Sequence, residues 1–148
     1  MMLVETKTMG KMEVSEGQLI KLPSGLFGFT DYHDFALIDC HIKPLIWMQS
    51  LDEKDLAFLL LDPFIVCPDY EADIDDEELA KIGIEDPADV LLLAIITVPN
   101  DGSPVTANLR GPLVINKKAR IGMQVILDDK KWPIKFDVAG ALAAGEGK

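Results

Sequence analysis

The sequence predicts a small, mostly-β protein, a barrel or sandwich of about eight or more short strands with one or two short helices. Three observations lead there. Short runs of apolar or alternating residues follow one another along the chain, bounded by Gly, Pro, Asn or Asp. Only one stretch carries both a start and a stop signal for a helix. The chain has 148 residues, 49% of them apolar, which is enough for one buried core. Residues 1–138 therefore read as a single domain, and 139–148 (AGALAAGEGK) as a loose tail with little to bury.

Along the chain, alternation marks strands at 3–7 and 11–14, then at 18–22, with Gly10 and Gly17 as breaks. A Gly/Pro-rich turn at 23–28 follows, in which Gly25 and Gly28 serve tight-turn geometry. Residues 35–39, 46–50 and 56–61 are short apolar runs whose lengths suit strands. The helix is read at 75–82: Asp75 and Glu78 have the spacing of a capping box, Asp76 and Glu77 fall in the first turn, and Gly83 supplies a left-handed stop. Ile74, Leu79 and Ile82 give it one apolar stripe. Asp86-Pro87 opens a further helical turn, with Pro in the first position.

Residues 90–98 are apolar without alternation, the pattern of a central strand covered on both faces. Asn100-Asp101-Gly102 turns the chain into a strand at 105–109. Pro112 separates that strand from 113–116, and 121–127 follows the basic turn Lys117-Lys118-Ala119-Arg120.

Composition narrows the function. The longest uncharged run, 90–100, has 11 residues and contains Pro99, whereas a membrane-spanning helix takes roughly 20 apolar residues. The N-terminus has neither a basic start nor a long apolar stretch, so the cytoplasm is the expected compartment. Two cysteines, Cys40 and Cys67, agree with a reducing environment. Cys40 stands beside His41 and near His33, but no spacing places two ligands on one metal ion, and the thiols read as small buried hydrophobes.

The net charge of −11 is uneven. Residues 52–89 hold 14 acids against Lys54 and Lys81, a net of −12, while 101–148 hold 5 acids and 8 bases, a net of +3. Such a middle segment repels phosphate backbones, so direct nucleic-acid binding is not expected and a basic partner is. The plainer alternative is that the acids only keep the domain soluble.

Catalytic spacings are lacking. The serines lie in no GxSxG elbow, and GxxG at 25–28 lacks the Lys and Ser/Thr of a phosphate loop. The acid-rich run 69–78 lacks the DxDxDG order and mid-loop glycine of a calcium loop, and reads as a solvated helix start. The expectation is a binding protein, with no cofactor, no metal and no enzymatic activity.

Three motif-bearing stretches then narrow the class. LPSGLFGFTDYHDF (22–35) holds a GLxGF turn followed by an aromatic. WMQSLDEKDLAFLLLDPF (47–64) has QSL, an apolar strand and Asp-Pro, with CPDYE (67–71) behind it. TANLRGPLVINKKARIGMQVIL (106–127) carries NLxxP, VIN and GxQ. In this order they resemble the FliW family of flagellar assembly factors. Gly111 and Met123 depart from the pattern, standing where Ala and a longer polar side chain are expected.

The resemblance implies an antiparallel β pseudo-barrel that works by exchanging protein partners. One partner it implies is CsrA, a small basic RNA-binding regulator that silences flagellin translation; the other is flagellin, which competes for the same protein and so releases CsrA. An acidic face at 69–78 would steer a basic partner inward and repel RNA. Two rivals stay open: a flagellin chaperone without CsrA antagonism, and a ligand-binding or enzymatic barrel with a small-molecule pocket.

The candidates for partner contact are Gln49, Ser50, Asp62, Asp69, Tyr70, Glu71, Asn108, Asn116 and Gln124. Each has a structural alternative. Asn108 and Asn116 flank Pro112 near strand ends, where Asn commonly bonds turn backbone. Asp62 can cap the amides after Pro63, and Trp47 reads as core beside Gln49 and Ser50. Tyr70 and Trp132 neighbour polar segments and read as exposed aromatic anchors. Lys117 to Arg120 read as a solvated hairpin tip.

Overall fold

The computed structural model describes residues 2–42, 44–99, 101–138 and 140. The expected loose tail from 139 onward lies outside the described residues, apart from Gly140. The strands are β1 Met2–Glu5, β2 Lys11–Val14, β3 Leu19–Lys21, β4 Asp34–Asp39, β5 Ile46–Ser50, β6 Ala57–Leu61, β7 Val90–Thr97, β8 Thr106–Asn116, β9 Ile121–Gln124 and β10 Phe136–Asp137. Two short helices, α1 Pro63–Val66 and α2 Asp76–Ala80, lie between β6 and β7.

Strands β3 to β8 meander antiparallel, β9 folds back on β8, and β9 meets β3 to close a seven-stranded barrel. The closure departs from the antiparallel expectation. β3 and β9 run parallel and share a single register pair, Lys21 with Ile121. β10 adds to the free flank of β8 at Ala107, a strand too short to show in the sequence. β1 and β2 form a separate hairpin.

Alternation along the closed wall sorts side chains inward and outward. Ile20, Phe35, Met48, Leu60, Leu93, Leu113 and Ile115 pack inside. Each such side chain contributes about 1.5–3 kcal/mol by leaving water. Gly122 lies on the inner side of β9, where a Cβ would stand 2.9 Å from Leu22 Cδ2 and 3.2 Å from Ile115. Outside, Ala94, Ile96, Val114 and Val125 carry a second layer with Tyr70, Ile82 and Trp132 on top. β7 thus has both faces packed, as its unbroken apolar run predicts. The β1–β2 hairpin covers a third patch, burying Val4 and Val14 against Ala36 and Ile38.

The break foreseen at Pro112 is a bulge within one long strand. Leu93 pairs with Leu113 and Ile95 with Asn108, so residues 109–112 face Ala94 alone. Their backbone groups bond elsewhere: Val125 N donates to Pro112 O, Leu127 N to Arg110 O, and Leu109 N to Pro133 O. β9 therefore ends at Gln124 as a regular strand, short of the expected 127, because its partner leaves the ladder.

Helix α2 is shorter than the predicted 75–82, and Asp75 makes no side-chain cap bond. Glu78 turns instead to Lys81, at 2.8 Å, so the expected capping box does not form. Gly83 takes the left-handed conformation, φ 73°, as its stop role requires. Asp86 caps Ala88 N ahead of Pro87, giving the second helical turn.

Candidate functional site

Barrel closure gathers the loop 22–33, the β7–β8 connection and the segment 125–135 at one end of the wall, and the β4–β5 and β8–β9 turns at the other. Loop 22–33 is held by its glycines. Gly25 has φ 66°, and a Cβ there would stand 2.5 Å from Phe29 O, so the turn tolerates no side chain. The turn carries Phe29 edge-on to Phe58 at 5.1 Å and leaves Phe27 59% exposed.

Two grooves adjoin Phe27. One, of about 240 Å³, runs between Leu26, Phe29, Phe58, Ile95 and Ile134. The other, of about 340 Å³, is edged by Asp73, Asp75, Glu78, Ile126 and Asp128. It continues into a wider acidic hollow of about 630 Å³ lined by Glu71, Asp73, Asp128 and Asp129. Phe27 and Gln124 line both of the first two. Gln124 joins them physically: its Oε1 accepts from Phe27 N at 3.0 Å, and its Nε2 donates to Gly111 O at 3.0 Å.

Charge around this furrow is mainly negative, with Lys131 at the acidic hollow and Lys135 at the apolar groove as the lysines among its lining residues. The three ion pairs among the described residues are Lys21–Asp34, Lys81–Glu78 and Lys118–Asp89, so Asp73, Asp75 and Asp128 have no cationic partner. Glu78 holds Lys81 protonated above its ordinary range, through their hydrogen bond first and their charges second. Lys131 stands over the Trp132 ring, 4.6 Å from its centroid. Among the described residues no group of three or more His, Cys, Asp or Glu could hold a metal ion, and both cysteines are free thiols.

The structure scatters the sequence candidates. Gln49 is buried: its Oε1 accepts from Lys7 N at 2.9 Å and its Nε2 donates to Lys54 O at 2.9 Å, tying the first hairpin to the β5–β6 turn. Ser50, buried beside it, accepts from the amides of Asp52 and Glu53. Asn116 is buried, donating to Ile82 O and accepting from Lys118 N and Ala119 N. Asn108 accepts from Arg110 N and Gly111 N and shapes the bulge. Asp62, half-buried, caps Phe64 N at the start of α1, the capping role read from Asp-Pro-Phe.

Tyr70 and Trp132 are corrections to the expectation of exposed anchors. Both are buried, and the Tyr70 hydroxyl donates to Leu109 O at 2.6 Å while its ring packs edge-on to Trp132 at 4.9 Å. Burial, and then the neighbouring Cys67, push the Tyr70 phenol well above its ordinary range. Asp69 and Glu71 are exposed, and Glu71 reaches the acidic hollow. Of the nine candidates, Gln124, Asn108 and Glu71 line the furrow. Sequence reasoning missed Phe27, Ile126 and Ile134: Phe27 and Ile126 sit inside apolar runs whose neighbours are buried, and nothing local tells which member of such a run faces water.

The family model for the FliW protein matches residues 3–138. A flagellar assembly factor FliW of Treponema denticola is 48% identical over 97% of this chain and 97% of its own. One from Treponema pallidum is 49% identical over 96% of this chain and 95% of its own. A crystal structure of the flagellar assembly factor FliW superposes with a TM-score of 0.83 at 35% identity, covering 92% of this chain and 96% of that one. With matching motifs, matching barrel and near full-length coverage on both sides, the chain belongs to the FliW family of flagellar assembly factors.

Proposed function

We propose that this flagellar assembly factor acts by partner exchange. It binds the basic RNA-binding regulator CsrA, lifting repression of flagellin translation, and gives CsrA up when flagellin occupies it instead. One observation carries the reading: an acidic surface whose carboxylates Asp73, Asp75 and Asp128 have no partner within the described residues, set beside exposed apolar side chains. A surface of that sign attracts a cationic protein and disfavours the RNA it carries. The remaining candidate contacts, Asp69 and Glu71, widen the same acidic side; the buried candidates act through the shape they hold.

The test mixes purified protein with CsrA and an RNA hairpin bearing its site, then adds flagellin. Partner exchange predicts a protein–protein complex, loss of the RNA from CsrA, and return of RNA binding on flagellin addition. A complex with flagellin alone would replace the proposal by a chaperone role.

A further inference from the structure

The furrow at the Phe27 end has the features of a preformed receptor for one kind of segment. Its apolar side chains are well exposed: Phe27 is 59% accessible and Ile134 55% on the apolar groove, and Ile126 57% on the edge of the acidic one. Contiguous apolar surface of this sort is uncommon on a soluble domain unless something covers it. The adjoining half presents Asp73, Asp75 and Asp128 with no ion pair among the described residues.

The two halves are rigidly related. Phe27 is anchored through its amide to Gln124, and Gln124 to the Gly111 carbonyl in the β8 bulge. Gly25 locks the turn beneath, and Arg110 fixes the far wall by donating to Trp132 O at 2.9 Å and Lys130 O at 3.0 Å. A surface already held in place loses little entropy on binding, which favours affinity.

We propose that this furrow docks a single amphipathic, cationic segment of a partner protein. Its apolar side chains enter the groove between Phe29 and Ile134, and its lysines or arginines lie against Asp73, Asp75 and Asp128. The charge complementarity selects the occupant: an acidic or uncharged apolar segment would leave those carboxylates desolvated and unpaired. Gln124 is a positioning residue, setting Phe27 at the junction of the two halves. The inference rests on the partner-exchange reading only for which protein supplies the segment.

The test uses the full chain, isotope-labelled, and a short synthetic helical peptide with a leucine face and a lysine face, alongside its glutamate counterpart. The lysine peptide is expected to bind and to shift the amide resonances of residues 26–29 and 124–128, while the glutamate peptide does not bind. Phe27→Ser with Ile134→Ser, and separately Asp73→Asn with Asp75→Asn and Asp128→Asn, should each weaken binding about tenfold or more. Glu5→Gln with Glu13→Gln, on the first hairpin, should change it less than about twofold, since those exposed acids lie away from the furrow.

Shifts centred elsewhere, or unchanged affinity in the Phe27/Ile134 variant, overturn the proposal, because attraction by net charge alone would then suffice. Purified CsrA and flagellin are titrated in parallel. If neither binds while the peptide maps to the furrow, partner exchange fails and the docking site stands. If both bind the protein and all its variants equally while the peptide misses the furrow, the docking site fails and partner exchange stands.

Discussion

The two ends of the barrel use their polar groups in opposite ways. At the β8–β9 turn the basic residues serve the fold: Arg120 Nη1 donates to Glu16 O at 2.8 Å, Lys118 stands 3.6 Å from Asp89, and buried Asn116 holds the turn to Ile82 O. At the Phe27 end the acids Asp73, Asp75 and Asp128 make no ion pair among the described residues, and large apolar side chains face water. The lesson is that net charge per segment says little about availability. The basic residues of the β8–β9 turn are engaged by the fold, whereas Asp73, Asp75 and Asp128 are not, although both groups stand in segments of strong charge.

The sharpest break is Gly25→Ala. It would force a left-handed alanine, at about 1–2 kcal/mol, and press a Cβ to 2.5 Å from Phe29 O, adding about 1–3 kcal/mol of overpacking. Urea unfolding should show the loss, and a resonance shift at Phe27 should accompany it. A fully stable variant would mean that the furrow frame is not built by that turn.

Asn116→Ala tests the opposite end. It removes the acceptor of Lys118 N and Ala119 N and leaves the buried Ile82 carbonyl unpaired, so a loss of about 2 kcal/mol is expected in the same measurement. A loss as small as that of an ordinary surface change would deny that this end is tethered by its own polar groups.

Tyr70→Phe is intermediate in size, with an expected loss of about 1 kcal/mol at neutral pH from its bond to Leu109 O. Because burial raises the folded phenol above its ordinary 10.0, the folded state holds that proton more tightly than the unfolded chain. Its contribution is whole below pH about 10 and is lost as pH rises toward the folded value. The original protein should thus lose more stability than Tyr70→Phe on going above that pH; parallel curves would refute the assignment.

The smallest effect on stability is expected from Asp73→Asn with Asp75→Asn. No ion pair among the described residues is lost, so the urea midpoint should stay put or rise slightly at low salt as like-charge repulsion falls. A clear fall in stability would show these acids to be structural after all.

Much of the wall was legible in the chain, because strand length, alternation and turn residues are local properties. The spans of β2, β5 and β7 and the caps at Asp62 and Asp86 follow from them. The Asp75–Glu78 box fails because two local pairings compete for one carboxylate: Lys81, three residues on, offers Glu78 a charged partner, and spacing alone does not say which pairing wins. β10 escapes notice because two residues have no period to read.

The candidate site was far less legible. Gln49 and Gln124 look alike in sequence, each directly after a Met within an apolar strand, yet one is buried in backbone bonds and the other bridges the furrow. Which role each takes depends on what the closing wall brings opposite it.

By itself the sequence determined the β class, the order of the elements, the uneven charge and the family. Those rest on short-range periodicity, turn chemistry and motif order. Tertiary structure alone decided that β3 and β9 meet through one parallel pair, that residues 109–112 leave the ladder, and that Phe27, Asp73, Ile126 and Ile134 share one surface. Those outcomes depend on long-range register, where many weak contacts sum around a closed wall and no local pattern records the total.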